Sequence, residues 1–329
     1  MSPIPCAFCP WNRTVGRTLG CRGLAGSLLE TVFTLRKPTS DRPRQSTPVY
    51  YVDPVIALLK LLPRVALSRM FGRFARLELP ILSRLSIHIF HLLYPRIDLG
   101  EAERKQRRDY RSLQDFFTRH LEAGARPIAD CLLVSPCDGA FGQSGAIDNQ
   151  TIIQAKGIPY SLAEFLGDST LASAFEGGAF STIYLAPWNY HRVHHALAGR
   201  IVRLRHIPGD LWPVNRAAIE GIPGVFARNE RAWVEVETDQ GQAILVMVGA
   251  YNVGSIRLAA RPSLGHEEAG DWVPSQPIPV NAGDELGVFE MGSTVVLILD
   301  EALRKATLGT SWPELGTSVR MGSGCSFPR

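Results

Sequence analysis

The stretch Gly283-Asp284-Glu285-Leu286-Gly287-Val288-Phe289-Glu290-Met291-Gly292-Ser293-Thr294-Val295-Val296 carries a Gly-Ser-Thr tripeptide directly before a β-branched run. A serine that follows a glycine can attack the preceding carbonyl carbon if a base removes its proton and the local backbone is strained. Glycine favours this because it lacks a Cβ and adopts conformations closed to other residues. The dipeptide Gly292-Ser293 is therefore a candidate site of self-cleavage.

The composition predicts a globular protein with ample core. The chain has 329 residues, of which 45% are hydrophobic and 20% charged, which suits one large domain or two smaller ones. The 30 glycines and 23 prolines indicate many turns and short strands. A net charge of +4 does not by itself indicate a nucleic-acid partner, and we expect none. The cysteines lack a framework spacing, which favours reduced thiols over disulfides.

The first 48 residues differ in composition from the rest. They are rich in Arg, Ser, Gly, Pro and Cys, and Glu30 is their first acid. This composition is typical of a disordered extension, of a start assigned too far upstream, or of an organellar transit peptide. We expect residues 1–48 to be a disordered extension.

Residues 49–130 are predicted to be a helical, membrane-associating region. Apolar residues recur at helical spacing over 55–62 and 82–93. Basic residues are interspersed between them, against the single acid Glu78. Two interpretations stay open: helices that pack on a core, or helices that lie among anionic lipid head groups. No apolar run reaches the ~20 residues needed to cross a bilayer.

The remaining residues, 131–329, are predicted to form a β-rich catalytic domain. Before it, Ser112 and Asp115 resemble the start of a capped helix with one apolar face through Leu121, and Pro127 ends this helical part. Short β-prone runs follow, separated by Gly, Pro and Asp turns. The predicted strands are 152–155, 180–185, 201–206, 232–237, 244–248, 255–258 and 295–299. The predicted fold class is α+β, with amphipathic amino-terminal helices followed by the β-rich body.

Three histidines, His191, His194 and His195, fall within five residues beside Trp188 and Tyr190. In a strand His191 and His195 share one face and His194 takes the other, whereas in a turn or helix all three can converge. Histidine is the side chain best suited to moving protons near neutral pH. Imidazoles at short spacing also bind zinc, so a metal site is the rival interpretation.

Asp138 follows a predicted strand and precedes a glycine, as turn aspartates often do. A histidine that acts as a base needs an acceptor to fix its tautomer and stabilise its cation. Asp138 is one candidate acceptor and Asp210 is another.

Six motifs together resemble the phosphatidylserine decarboxylase family, in the order of that family and over about 53–299. They are Ser135–Gly139, Gln154–Gly157, Tyr190–His194, Phe226–Arg231, Val248–Ala250 with Val253–Ile256, and Gly283–Val296. The chain departs from the family pattern at Met291, Asn189 and His195, none of which removes a group that the chemistry needs. Residues 1–48 have no counterpart.

The resemblance implies a proenzyme whose self-cleavage triad is Asp138, His194 and Ser293. His194 deprotonates Ser293 while Asp138 orients the imidazole, and Ser293 attacks the Gly292 carbonyl. The second chain, 293–329, then begins with a covalent pyruvoyl group, the cofactor. This group forms a Schiff base with phosphatidylserine and releases CO2 to give phosphatidylethanolamine, with His191 as the acid/base of decarboxylation. No metal is implied.

The resemblance also implies partners and a location. Phosphatidylserine in an anionic bilayer is the expected substrate partner, and chains 1–292 and 293–329 form a heterodimer for which further dimerisation is open. The expected location is the cytoplasmic side of a bacterial membrane, attached peripherally, with the mitochondrial inner membrane as the alternative.

Two rival interpretations are retained. A zinc-dependent hydrolase built from Asp138, His191 and His194 explains the histidines but leaves Gly292-Ser293 without a role. A non-enzymatic carrier-like β domain is suggested because Asn281–Gly287 and the strand after it are similar to the hammerhead, barrel-sandwich hairpin of lipoyl and biotinyl carriers. In those carriers a lysine at the hairpin tip takes the cofactor, whereas this turn has Met291-Gly292-Ser293, so we expect the likeness to concern hairpin geometry only.

Overall fold

The computed structural model describes residues 63–154, 158–214, 216–251, 256–264, 268–290, 293–307 and 313–324. The predicted extension at 1–48 and the predicted helix at 55–62 lie outside these residues. The predicted boundaries at 48/49 and 130/131 stay predictions.

In residues 63–130, here called the helical region, a short 3₁₀-helix (Arg107–Asp109) accompanies three α-helices. The α-helices are α1 (Arg64–Ala75), α2 (Pro80–Leu93) and α3 (Leu113–Phe117). Proline at the first position of α2 pre-sets the backbone angle that a helix needs. The Ser112 side chain accepts a hydrogen bond from the backbone N–H of Asp115 at 3.1 Å, which caps α3 as predicted. The helix ends earlier than predicted, because Leu121 pairs with Ala102 in an isolated β-bridge instead of continuing the helical face.

Helix α2 is amphipathic. Ser83, Ile87 and Phe90 are buried at helical spacing and pack toward the core. On the outer side Ile81 is 86% exposed and Leu92 is 64% exposed. One face therefore packs as in an ordinary surface helix, whereas the other presents apolar side chains outward.

Residues 131–324 are here called the β body. Its strands are β1 (Gly139–Ala146), β2 (Thr151–Ile153), β3 (Pro159–Ser161), β4 (Ala179–Leu185), β5 (Arg192–His194), β6 (Gly199–Ile207), β7 (Arg231–Thr238), β8 (Gly241–Gly249), β9 (Ile256–Leu258), β10 (Gly270–Trp272), β11 (Ile278–Val280), β12 (Glu285–Phe289), β13 (Ser293–Leu299) and β14 (Ser318–Val319). Its helices are α4 (Leu162–Leu166), α5 (Ser169–Ala174), α6 (Arg216–Gly221), α7 (Val225–Arg228) and α8 (Glu301–Ala306). The seven predicted strands from 152 onward are confirmed within the described residues; Ala155 and Ser255 lie outside them. The strand predicted before Asp138 is wrong, because Val134 forms only an isolated bridge with Gly324 and β1 begins after Asp138.

The strands form three antiparallel sheets. The large sheet has nine strands in the order β10-β6-β7-β8-β13-β4-β1-β14, with β11 also paired to β6. The small sheet has the order β5-β12-β9, and β2 pairs with β3. With helices before and between antiparallel sheets, the α+β class is confirmed.

The large sheet lies between two apolar layers. Alternate residues of a strand point to opposite faces, and β13 shows this directly. Val296 and Ile298 join a cluster that includes Phe116 of α3, whereas Val295 and Leu297 join a second cluster that includes residues of the small sheet. Helices therefore cover one face of the large sheet, and the small sheet covers the other.

The stretch around Gly292-Ser293 connects two different sheets. β12 lies in the small sheet between β5 and β9, whereas β13 lies in the large sheet between β8 and β4. Glu290 is the last described residue before the crossing, and Met291 and Gly292 lie outside the described residues. The candidate cleavage site thus falls where the chain passes from one sheet to the other.

Candidate active site

His194 ends β5, opposite Glu285 of β12. Its Nδ1 donates a hydrogen bond of 2.7 Å to the Gly283 carbonyl oxygen, since a carbonyl can only accept. The ring proton therefore lies on Nδ1, and Nε2 accepts from the Tyr190 hydroxyl at 3.0 Å. Burial lowers the pKa of His194, so the ring is neutral near pH 7 and Nε2 carries a basic lone pair.

Backbone bonds hold the Gly283 carbonyl beside His194. The Gly283 N–H donates to the carbonyl of His195 at 2.8 Å, and the His195 N–H donates to the carbonyl of Asp284 at 2.8 Å. Gly283 has a φ of +89°, and a Cβ there would lie 2.6 Å from a side-chain carbon of Ile128. Only glycine fits this turn. The Gly-Asp signal at 283–284 predicts a turn but does not indicate that its carbonyl binds a histidine.

His191 is fully buried beside Phe117, whose ring centroid lies 3.9 Å from that of the imidazole. Its Nδ1 donates to the Asn189 carbonyl at 2.9 Å, so its lone pair is on Nε2. That Nε2 is buried without a hydrogen-bond partner among the described residues. Burial, with a smaller contribution from the Arg119 cation, lowers the pKa of His191 to about 3. His191 is therefore a neutral imidazole with one unused acceptor.

The three histidines have separate surroundings. His191 is held by Asn189 and His194 by Gly283, while His195 Nδ1 is buried without a partner in the described part of the chain. Burial lowers the pKa of His195 to about 4. Among the residues that the structure describes, no three His, Cys, Asp or Glu side chains form a group that could hold a metal ion. The zinc-hydrolase interpretation gains no support here.

Asp138 is buried and bound from two directions. Arg126 grips both carboxylate oxygens, with Nε at 3.0 Å and Nη2 at 2.6 Å, and the backbone N–H of Met321 donates at 2.8 Å. Asp138 is not a hydrogen-bond partner of His194, whose Nδ1 is already bound to Gly283. The predicted role of Asp138 toward His194 stays a prediction. The sequence did not indicate Arg126, because no local motif links this residue to an aspartate twelve positions further along the chain.

Asp210, the other candidate acceptor, lies elsewhere. Arg64 at the start of α1 binds both of its oxygens, at 3.2 and 2.5 Å. Asp210 also accepts from the N–H of Leu211 at 2.8 Å. These contacts tie the helical region to the β body and do not involve a histidine.

Ser293 begins β13 in the middle of the large sheet. Leu185 of β4 lies opposite it on one side and Gly249 of β8 on the other. The structure describes its backbone but not its side chain. The predicted approach of His194 to the Ser293 hydroxyl therefore stays a prediction.

Glu290, two residues before Gly292, is held by the helical region. It is only 6% exposed and forms an ion pair with Arg76 at the end of α1. Gln114 of α3 donates a second hydrogen bond at 2.8 Å from Nε2 to Oε1. These contacts fix the chain just before the crossing between sheets. No local pattern indicates this role of Glu290, since its partners lie more than 170 residues away in the sequence.

Comparison with known proteins identifies the family. A family model described as phosphatidylserine decarboxylase matches residues 113–325. A phosphatidylserine decarboxylase proenzyme from Anaeromyxobacter sp. (strain K) is 42% identical over 277 residues, covering 82% of this chain and 95% of that protein. Proteins with the same name from Delftia acidovorans and Alcanivorax borkumensis are 42% identical over 243 residues and 41% identical over 258 residues. They cover 72% and 76% of this chain, and 85% and 88% of those proteins.

Proposed function

The chain belongs to the phosphatidylserine decarboxylase family and decarboxylates phosphatidylserine. We propose that it matures by cutting its own backbone between Gly292 and Ser293. The observation that most supports this is a neutral His194 whose tautomer is fixed by Gly283. In that tautomer Nε2 can take the proton of the Ser293 hydroxyl, with Tyr190 as its partner until then.

The proposed cleavage needs no reagent other than water. The Ser293 oxygen bonds to the Gly292 carbonyl carbon while the Gly292–Ser293 C–N bond breaks, and the freed nitrogen takes the proton held by His194. Loss of the Ser293 α proton then expels Gly292 as a carboxylate. Water finally replaces the nitrogen, which leaves as ammonia, and residue 293 becomes a pyruvoyl group.

The surroundings of residue 293 suit such a group. Phosphatidylserine decarboxylases in general depend on pyruvoyl, and we propose that Ser293 supplies it here. Thr294 Oγ1, on the residue that follows Ser293, is buried without a partner in the described residues, so it can bind a polar group formed at the start of β13. Once formed, the pyruvoyl group supplies a ketone that condenses with the substrate amine and takes up the electrons released with CO2.

His191 is proposed to move the proton of the second stage. Its Nε2 is the unprotonated nitrogen, because Nδ1 is bound to the Asn189 carbonyl. The substrate ammonium must lose a proton before its nitrogen can react, and His191 Nε2 can accept that proton. The same proton can then return to the carbon that CO2 leaves. Burial and the Arg119 cation lower the pKa of His191, so the ring starts neutral, with the Nε2 lone pair unprotonated.

The two chains are proposed to stay together after cleavage. Strand β13 is hydrogen-bonded on both sides, by β8 and β4, and its residues from Thr294 to Leu299 are buried. Downstream, β14 pairs with β1, and Met321 donates to Asp138. Chains 1–292 and 293–329 therefore form a heterodimer whose shared core is the large sheet.

Intact-mass analysis of purified protein tests the proposal. We expect two chains, 1–292 and 293–329, the lighter one with a blocked amino terminus, together with release of CO2 from phosphatidylserine. Ser293→Ala should remain one chain. Ser181→Ala, which removes a hydroxyl from neighbouring strand β4, should cleave like the wild type. An intact serine at 293 in fully active protein would contradict the proposal.

We also propose that the helical region lies on an anionic bilayer. The exposed apolar side chains of α1 and α2 suit insertion among lipids; they include Met70, Ile81, Leu85, Ile89 and Leu92. No helix in the described residues is long and apolar enough to cross a membrane. Peripheral attachment at the cytoplasmic face of a bacterial membrane fits these features, and the bacterial relatives support it over the mitochondrial inner membrane.

A basic cavity adjoins this face. Its volume is about 570 Å³, Ile87 and Ile97 contribute to its lining, and so do the cationic side chains of Arg84, Lys105, Arg107 and Arg108. Cations near an anionic surface each add ~1 kcal/mol of attraction. Binding to phosphatidylserine-containing vesicles should therefore exceed binding to phosphatidylcholine vesicles and weaken as salt rises to ~1 M, where the Debye length is ~3 Å. Binding that is independent of salt would contradict the electrostatic part.

A further inference from the structure

Arg119 is a buried cation that forms no ion pair among the described residues, although the Asp138 carboxylate is near enough to favour its charge. It is 4% exposed. Its Nη2 donates to the carbonyls of Trp188 and Asn189, at 3.1 and 3.3 Å. Its Nε and Nη1 are buried and have no hydrogen-bond partner in the described residues. An unpaired charge is unfavourable in a protein interior, so this arrangement calls for an acceptor that the folded chain does not provide.

The unused donors of Arg119 lie beside His191. Both side chains donate to the same carbonyl, that of Asn189, which places the guanidinium and the imidazole next to one another. Phe117, two residues before Arg119, packs its ring on His191. His191 Nε2 also lacks a partner among the described residues. Two adjacent buried side chains therefore carry three nitrogens with unused hydrogen-bonding capacity.

These two side chains adjoin the cleavage site. Leu185, the last residue of β4, is the backbone neighbour of Ser293. The next residue, Ala186, donates its N–H to the side chain of Asn189 at 2.8 Å, which closes the loop that carries the acceptors of Arg119. The loop that holds Arg119 thus starts one residue after the strand partner of Ser293.

The chemistry of the donors restricts the occupant. A guanidinium only donates and stays charged, so it selects an anionic acceptor. Phosphatidylserine has two anionic groups: a carboxylate that leaves as CO2 and a phosphodiester that persists. Tight binding of the carboxylate would stabilise the ground state more than the transition state, in which its charge disperses, and would slow the reaction. The phosphodiester keeps its charge throughout and can be held at no such penalty.

We propose that Arg119 is the residue that binds the substrate phosphodiester, through its unused Nε and Nη1. This rests on the proposed function, since it names a subsite of the same reaction. An anion on Arg119 also offsets the positive charge that His191 faces, which makes it easier for His191 to hold the proton that it transfers. The subsite would explain how the reactive ketone meets the serine head group of a lipid.

The test compares two substrates in detergent micelles: short-chain phosphatidylserine, and an O-alkyl serine ether that keeps the amine and carboxylate but lacks the phosphate. Arg119→Gln should raise KM for the phosphodiester substrate roughly 10- to 100-fold, as loss of a charge-assisted contact does. KM for the ether should change less than about twofold, because this substrate has no phosphate for Arg119 to contact. Arg119→Lys, which keeps the charge but not the planar fork, should fall between. Arg203→Gln, which removes an arginine that pairs with Asp168 and Glu235, should match the wild type.

Three results would overturn the subsite. Equal losses on both substrates would assign Arg119 to the carboxylate or to structural support of the loop. Unchanged kinetics on phosphatidylserine would remove the contact altogether. Variants that stay folded by circular dichroism but fail to cleave, for both Gln and Lys, would place Arg119 in maturation instead. Failure of the proposed function is distinguishable, because it would appear in the wild type as an uncut chain or as no CO2 release.

Discussion

The helical region and the β body use similar apolar side chains in different ways. In the β body the central strand β13 is buried on both faces, with helices on one side and the small sheet on the other. In α2 only one face is buried, and Ile81 and Leu92 point away from the protein. Apolar residues in the body stabilise the fold, whereas those on the outer helical face are available to a lipid surface.

The helical region also contributes residues to the candidate active site. Phe117 and Arg119 contact His191 and its loop, while Arg126 holds Asp138. Arg76 holds Glu290 just before the cleavage site. A region that looks peripheral in sequence therefore positions the chemistry, and the same segment would link the membrane surface to the active centre.

The largest effect is expected from removing the base in the β body. His194→Ala should abolish chain cleavage, since a positioned general base contributes about 10²–10⁴-fold and no second imidazole occupies its place. His191→Ala should still cleave but should decarboxylate poorly. Cleavage is followed on denaturing gels during cell-free synthesis, with His88→Ala of the helical region as the control that cleaves normally. Two bands for His194→Ala at the wild-type rate would remove its role.

The next largest effect is on stability. Trp233 of β7 is fully buried, and its Nε1 donates to the Leu166 carbonyl at 3.1 Å. Trp233→Ala should lower the free energy of unfolding by ~3–5 kcal/mol, whereas Leu92→Ala on the outer face of α2 should change it by less than ~0.5 kcal/mol. Urea denaturation in an uncleaved Ser293→Ala background measures both. Similar losses for the two variants would show that the outer face of α2 stabilises the fold as much as the core of the β body does.

Acid sensitivity should arise in the β body. The pKa of His195 is about 4 in the folded protein, lowered by burial, with Asp284 and His194 nearby. Because the unfolded chain binds the proton first, stability falls as pH drops from ~6.5 toward 4, by up to ~1.4 kcal/mol per pH unit for this group. His195→Asn should make the dependence shallower by that amount. The free energy of unfolding is measured by urea denaturation between pH 4 and 6.5. If its slope against pH is the same in His195→Asn as in the wild type, the acid sensitivity comes from other groups.

A smaller effect is expected at the join between the two regions. Glu290→Gln removes the charge that pairs with the partly exposed Arg76 but keeps a side chain of similar size for Gln114. Losing the ion pair costs ~1 kcal/mol. If the contacts of Glu290 with Arg76 and Gln114, here called the clamp, position Gly292, cleavage should slow roughly fivefold. Time courses during cell-free synthesis give the rate. Glu301→Gln, which breaks an exposed pair with Lys305, is the control, and equal rates for both would leave the clamp without a role in maturation.

The smallest effect on the folded protein is expected on the outer helical face. Ile81→Ser combined with Leu85→Ser should change the free energy of unfolding by less than ~0.5 kcal/mol per site, because both side chains are exposed. Vesicle binding should nevertheless weaken by a factor of ten or more, since each buried aliphatic side chain contributes ~1.5–3 kcal/mol. Vesicle sedimentation measures it, with Val273→Ser, exposed in the β body, as the control. Unchanged binding would place the membrane contact elsewhere.

Local patterns were sufficient for much of this molecule. Short β-prone runs such as 180–185 and 244–248 located strands, because glycine or proline turn residues lie close to both ends of each run. The capped start of α3 was also local, since Ser112 and Asp115 are three residues apart. The end of that helix was not, because Leu121 pairs with Ala102 across a loop.

The sequence by itself determined the α+β class, the positions of seven of the fourteen strands in the described residues, the histidine cluster and the candidate bond at Gly292-Ser293. All of these depend on neighbouring residues. Only the tertiary structure decided that Gly283 holds His194, that Arg126 holds Asp138 and that Arg119 forms no ion pair in the described chain. These depend on chain crossings that bring distant residues within about 3 Å. Hydrogen bonds and buried charges act over such short distances, so their partners become known only when the chain is folded.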